Sequence, residues 1–239
     1  MTASALFWIV FSWAFAPQGL APNPGGMKGY SGGGGITFFN QAVGATAQGG
    51  GTSLAAAALN ATAGNLLAVW VRAGDSASTI TASDTAGNTF TPIAQCTGGP
   101  GGGQWLYAKN ITGNASNVVT ANYSVTEAFR AVMVLQFSGL STTAPLDVSA
   151  TPCASGTSTT PTSASFTTTT ANEVILSGVT AGALSMTFTQ GTGYTLGSTL
   201  TDGDAIVQFK IVSATQTGVT AAFTMNSSQS WLTDVITLK

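Results

Sequence analysis

The stretch from Thr62 to Ala73, TAGNLLAVWVRA, decides the fold class. Thr-Ala-Gly-Asn is turn chemistry, and Leu66, Ala68 and Trp70 then alternate with Leu67, Val69 and Val71. Side chains on a strand point alternately to its two faces, so a run that is apolar in both sets is expected to be buried on both sides and central in its sheet. From Ile36 onward the chain repeats this grammar. Short runs with period-two alternation are bounded by Gly, Asn, Asp and Thr, and no run carries a sustained 3.6-residue stripe. The pattern predicts strands over 36–42, 53–59, 66–73, 79–84, 89–95, 104–110, 117–123 and 128–138. It predicts further strands over 163–168, 173–180, 186–190, 194–198, 205–212, 218–225 and 231–238. Val132, Val134, Val174, Leu176, Ile206 and Val235 are expected in the core, and SDTAGN from Ser83 and TDGD from Thr201 suit hairpin turns.

The same elements recur in the same order. TSLAAAALNATAGNLLAVWV from Thr52 parallels SASFTTTTANEVILSGV from Ser163, and LYAKNI from Leu106 parallels QFKIV from Gln208. VVTANYS from Val118 parallels GVTAAFT from Gly218, and FRAVMVLQF from Phe129 parallels WLTDVITLK from Trp231. Each half is small for an independent core, so the expectation is one all-β domain over 36–239. Its fold would be a two-sheet antiparallel β-sandwich, jelly-roll-like, with weak internal duplication. The alternative is two small sandwiches joined near Ser155 to Pro161.

Residues 1–35 stand apart. Leu6 to Phe15, LFWIVFSWAF, is apolar but shorter than the roughly 20 residues that span a bilayer. One reading is a secretory signal, with Ala14-Phe15-Ala16 or Gly19-Leu20-Ala21 as the small-residue site. No Lys or Arg precedes the run and Pro17 or Pro22 follows each site, which argues against cleavage there; a retained signal, a wrongly assigned start and a structural apolar arm are the other readings. Pro17 to Gly35 is too rich in Gly and Pro for a helix or packed strand.

Composition removes several functions. Of 239 residues 44% are hydrophobic and only 6% charged, with a net charge of −2; soluble domains usually carry about 25% charged residues. Isolated lysines and arginines make no patch for phosphates, so nucleic acid is not an expected ligand. Histidine is absent, which removes Ser/His/Asp and Cys/His catalysis and histidine-ligated zinc. The lysines (Lys28, Lys109, Lys210, Lys239) show no Ser-x-x-Lys spacing. Glycoside hydrolysis needs only two facing carboxylates, but Asp75, Asp84, Glu127, Asp147, Glu173, Asp202, Asp204 and Asp234 fall mostly in turns or just before strands. The chain is therefore expected not to be an enzyme.

The remaining candidates are binding or structural features. Cys96 and Cys153, both in Gly/Pro/Ser/Thr-rich connections, are expected to form a disulfide, which places the chain in an extracellular or cell-surface setting. Asp202 and Asp204 offer two carboxylates to a hard cation, calcium being the ion they suit; the same pattern also describes a hairpin tip. No other cofactor is expected. Trp105 and Tyr107 are candidates for stacking on a glycan, with core packing as the competing role. Asn60, Asn110, Asn114, Asn122 and Asn226 each begin an Asn-x-Ser/Thr sequon.

Together, TAGNLLAVWVRAGDSASTITASDTAGNTFTPIA, LYAKNI, LQFSGLSTTAPLDVSA and TTTTANEVILSGV resemble a family of secreted bacterial β-sandwich modules, similar also to modules of phage virion appendages. The resemblance covers residues 52–239 and implies a fold and an extracellular setting, with no activity and no catalytic residue. The function expected from these readings is a non-catalytic structural subunit of an extracellular assembly (filament, sheath or adhesin). It would assemble with copies of itself through the N-terminal arm. The alternative is a carbohydrate-binding or host-recognition module.

Overall fold

The structure is a computed structural model and describes residues 35–74, 78–93, 95–148, 153–200 and 204–239. The arm or signal region is outside the described residues up to residue 34, as are Asp75 and Asp202. The first half contains β1 (Thr37–Ala47), β2 (Gly51–Ala55), β3 (Leu59–Ala61), β4 (Leu66–Ala73), β5 (Ile80–Asp84) and β6 (Thr91–Pro92). It continues with β7 (Cys96–Gly99), β8 (Gly101–Ala108), β9 (Asn114–Asn117), β10 (Val119–Glu127) and β11 (Arg130–Ser138). The second half contains β12 (Ala154–Ser158), β13 (Glu173–Ala181), β14 (Phe188–Gln190), β15 (Thr195–Thr199), β16 (Ala205–Val212), β17 (Phe223–Met225) and β18 (Gln229–Leu238).

The chain is all-β and antiparallel, as expected, but the sandwich is doubled. Each half builds a large sheet, β1-β11-β4-β8-β6 in the first and β12-β18-β13-β16-β15 in the second. The orders correspond strand for strand. Each large sheet is covered on its outer face by a smaller layer. In the first half this is β2-β10-β5. In the second it is the β14–β17 pair with the bridges Thr162↔Ala222 and Phe166↔Val219. The two large sheets then pack on each other, giving four layers instead of the two expected.

The cause lies in the opening stretch. Leu66, Ala68 and Trp70 of β4 face the second half, in a cluster with Val174, Leu176, Val207 and Phe209. Leu67, Val69 and Val71 face β5 and β10, in a cluster with Ile80, Val119 and Tyr123. A strand apolar on both faces needs a partner layer on each side, and β13 meets the same demand in its own half. The six core residues expected from sequence, Val132, Val134, Val174, Leu176, Ile206 and Val235, are all buried.

A second correction concerns the joining segment. Ser155 to Pro161 does not simply link the halves: Ala154–Ser158 is an edge strand paired with β18 from Ala154↔Thr233 to Ser158↔Gln229. Its residues are exposed or half-buried, so it has no apolar alternation from which to read a strand. The expected strand at 163–168 is reduced to the single bridge at Phe166, with the other bridge at Thr162 just before it. The expected Cys96–Cys153 disulfide is present, with Cα atoms 5.6 Å apart, and ties β7 of the first half to the start of β12 in the second.

The halves relate by an approximate two-fold axis parallel to the strands. Aligning Thr62-Ala63 with Thr170-Ala171 makes Trp70 equivalent to Gly178. The ladders agree: Trp70 pairs with Met133 and Trp105, and Gly178 with Asp234 and Val207. Trp70 lies directly on Gly178, where an added Cβ would stand 2.6 Å from Trp70 Cε2. The indole of one repeat thus fills the space left by the glycine of the other. Gly178→Ala is expected to destabilise by at least ~2 kcal/mol through overpacking, read as a lower denaturant midpoint with an unchanged slope.

Candidate functional site

At the centre of the interface is Asp234, on β18 and fully buried. Trp70 Nε1 donates to its two oxygens at 3.0 and 2.9 Å. Trp105 Nε1 and the Gly178 amide each donate to Oδ1 at 3.0 Å. The cross-strand pairs Trp70↔Trp105 and Gly178↔Asp234 bring the four residues together, two from each repeat. Burial raises the Asp234 pKa to about 7, against the lowering effect of the Trp70, Trp105 and Gly178 donors. The group is enclosed by packed side chains, which suits it to holding the halves together.

Along the same axis toward one end, Arg72 of β4 forms an ion pair with Asp204, just before β16. Arg72 also donates to the Pro100 carbonyl at 3.1 Å and lies 5.9 Å from the centre of the Phe129 ring. A cleft of about 290 Å³ opens here, with Arg72 and Asp204 below and Phe129, Leu184, Pro100 and Ala183 around it. Phe129 is 45% and Leu184 41% exposed. Phe129 also has φ of 51°, a left-handed conformation costly for a side chain with a Cβ. A second cleft of about 340 Å³ lies across Pro100, lined by Ser155, Gly156, Thr157, Ser230 and Trp231.

The opposite end carries the chain's connections. β1 begins there, with Thr37 paired to Ser138, and the Ser141 amide donates to the Lys239 carbonyl at 2.7 Å. Asp147 closes this end by accepting from the Thr169 amide at 2.7 Å and Lys239 Nζ at 3.2 Å. Burial pushes the Asp147 pKa up, but the Thr169 and Lys239 contacts outweigh it and hold the carboxyl below its usual range. Neighbouring Glu173 is shifted up by burial and then by the Asp147 charge. The clefts and the chain's entry lie at opposite ends of β4, whose 8 residues span about 26 Å at roughly 3.3 Å per residue.

The residues singled out from sequence fall in different places. Trp105 and Tyr107 are 1% and 9% exposed, so neither offers a ring face to a sugar; the pattern of an aromatic strand does not distinguish the two roles. Asp204 is buried in its ion pair, and Asp202 is outside the described residues. Among the described residues no cluster of three or more His, Cys, Asp or Glu could hold a metal. Asn60, Asn110 and Asn226 are exposed, and Asn114 and Asn122 half-buried. Asp84 holds a turn, accepting from the Asn88 amide at 2.8 Å and from Asn117 Nδ2 at 2.9 Å. No sequence pattern points to the Asp234 cluster or to the contact of Phe129 with Arg72, because their partners are remote in sequence.

The chain matches no protein-family model, and neither characterised proteins nor solved structures show a match. Among the described residues, no helix is long and apolar enough to cross a membrane.

The Asp234 environment sets a pH dependence. An acid whose folded pKa lies above its unfolded value takes up a proton on folding. Its contribution to stability is full below the ordinary aspartate range and is lost as pH rises through that range to about 7. Urea unfolding between about pH 4 and about pH 8 is expected to show this loss in the native chain. In Asp234→Asn that component is absent, so the stability difference between the two proteins narrows as pH rises; a constant difference would contradict the assignment.

Proposed function

We propose that the chain is a non-catalytic building block of an extracellular assembly, joined to further copies through its N-terminal arm. The observation that carries this reading is the polarity of the double sandwich. Thr37, into which the arm leads, and Lys239 lie at one end of the described structure, and the clefts lie at the other. An apolar segment tethered at one end can reach a neighbour: 35 extended residues span about 115 Å. Addition of such a segment to a sheet edge is a general route to assembly.

The non-catalytic part is supported by what the acids do. Asp84 organises a turn, Asp147 clasps the chain's entry, Asp204 pairs with Arg72, and Asp234 sits within the core. Each is already committed to holding structure. The disulfide fits an oxidising compartment, and the resemblance to secreted and virion-appendage modules belongs to the same proposal.

Removing residues 1–35 is expected to leave a folded, disulfide-bonded sandwich that no longer assembles. Light scattering and electron microscopy of the full and shortened chains check this. Ile9→Asp within the full chain is expected to have the same effect. Assembly that persists in both would overturn the role of the arm.

A further inference from the structure

We propose that the paired clefts beside Pro100 form a binding site for a neutral oligosaccharide, presented at the end of the described structure opposite Thr37 and Lys239. The first cleft combines an apolar rim, exposed Phe129 and Leu184, with a polar floor, the Arg72–Asp204 ion pair. A pyranose has the same division, with C–H groups on its faces and hydroxyls at its edge. An aromatic ring packs on the face, and a guanidinium and a carboxylate supply donors and acceptors to the edge. Because the two floor charges pair with each other, the cleft has no excess of either sign to select a phosphate or a carboxylate.

The second cleft extends this chemistry. Ser155, Thr157 and Ser230 bring hydroxyls, the buried Trp231 closes the floor beneath Gly156, and the lining contains no charged side chain. Pro100 borders both clefts, and Gly182 of the first donates its amide to Ser230 of the second at 2.9 Å. They are therefore neighbouring subsites for adjoining sugar units. The volumes of about 290 and 340 Å³ suit units of this size.

Phe129 provides an independent observation. A residue with a bulky side chain is held in the left-handed region while its ring stays 45% exposed. Neither burial nor backbone preference favours that arrangement, and strain of this kind concentrates where a side chain must be presented. The Cys96–Cys153 bridge fixes the β7 hairpin beside β12, which holds the second cleft open to the first. The site does not depend on assembly, so it can be tested whatever the arm does.

The test uses the full chain on an array of neutral, sialylated and sulfated glycans, followed by calorimetric titration with the best neutral oligosaccharide. Binding to neutral glycans is expected. Phe129→Gly relieves the left-handed strain, so it should fold at least as stably as the parent while binding about ten-fold more weakly or worse. Thr157→Glu, on an exposed strand position, should weaken oligosaccharide binding without changing the thermal midpoint. No neutral glycan bound across the array, a preference for the acidic glycans, or full binding by both variants would each overturn the proposal.

Discussion

Asp234 receives its hydrogen bonds from Trp70, Trp105 and Gly178, so one carboxylate is shared by β18, β4, β8 and β13. A carboxylate out of reach of water is costly unless donors surround it. Here they come from both repeats, which makes the interface depend on one relative placement. Shifting β4 by one residue would turn Trp70 to the opposite face of its sheet and leave both the acid and the indole without partners. Apolar packing between two flat sheets tolerates sliding; this cluster does not. It sets the register on which the disulfide, the Arg72–Asp204 pair and the clefts all rely.

The cluster also shows how a duplicated chain became unequal. At the two-fold-related positions the first repeat has Trp70, Met133 and Trp105, and the second has Gly178, Asp234 and Val207. Bulk stands opposite space and donor opposite acceptor. Identical repeats would set indole against indole across the axis, or leave a void with two glycines. Since the axis runs parallel to the strands, equivalent loops of the repeats gather at the same end. The clefts beside Pro100 arise from this gathering, and the connections to the arm and to Lys239 are left at the other end.

Much of this architecture was legible from alternation alone. The expected strand 66–73 coincides with β4, because a run apolar on both faces has few other places in a β protein. The repeat was legible too, and a residue-by-residue alignment across it would have set Trp70 against Gly178, a sign of complementary packing. The layer count was not, since alternation reveals that both faces are buried but not by what. β12 was hidden because an exposed edge strand of Ala, Ser, Gly and Thr has the composition of a loop. The Asp234 cluster needs contacts across 164 and 129 residues, beyond any local pattern. Trp105 was visible as an aromatic on a strand, yet only its contact with that acid shows which way it faces.

The scarcity of charge takes on a physical meaning once the acids are located. With 6% charged residues in the chain, spending Asp84, Asp147, Asp204 and Asp234 on internal contacts leaves a surface dominated by hydroxyls, amides and backbone. Such a surface projects little field beyond a Debye length, so it neither steers ions nor repels copies of itself. Recognition there must come from shape, stacking and directional hydrogen bonds at short range. Neutral sugars, which lack charge and present hydroxyls around apolar faces, are recognised by those same forces. A second copy of the chain meets the same conditions at close approach, so low surface charge is compatible with both of the contacts proposed, copy to copy and chain to saccharide.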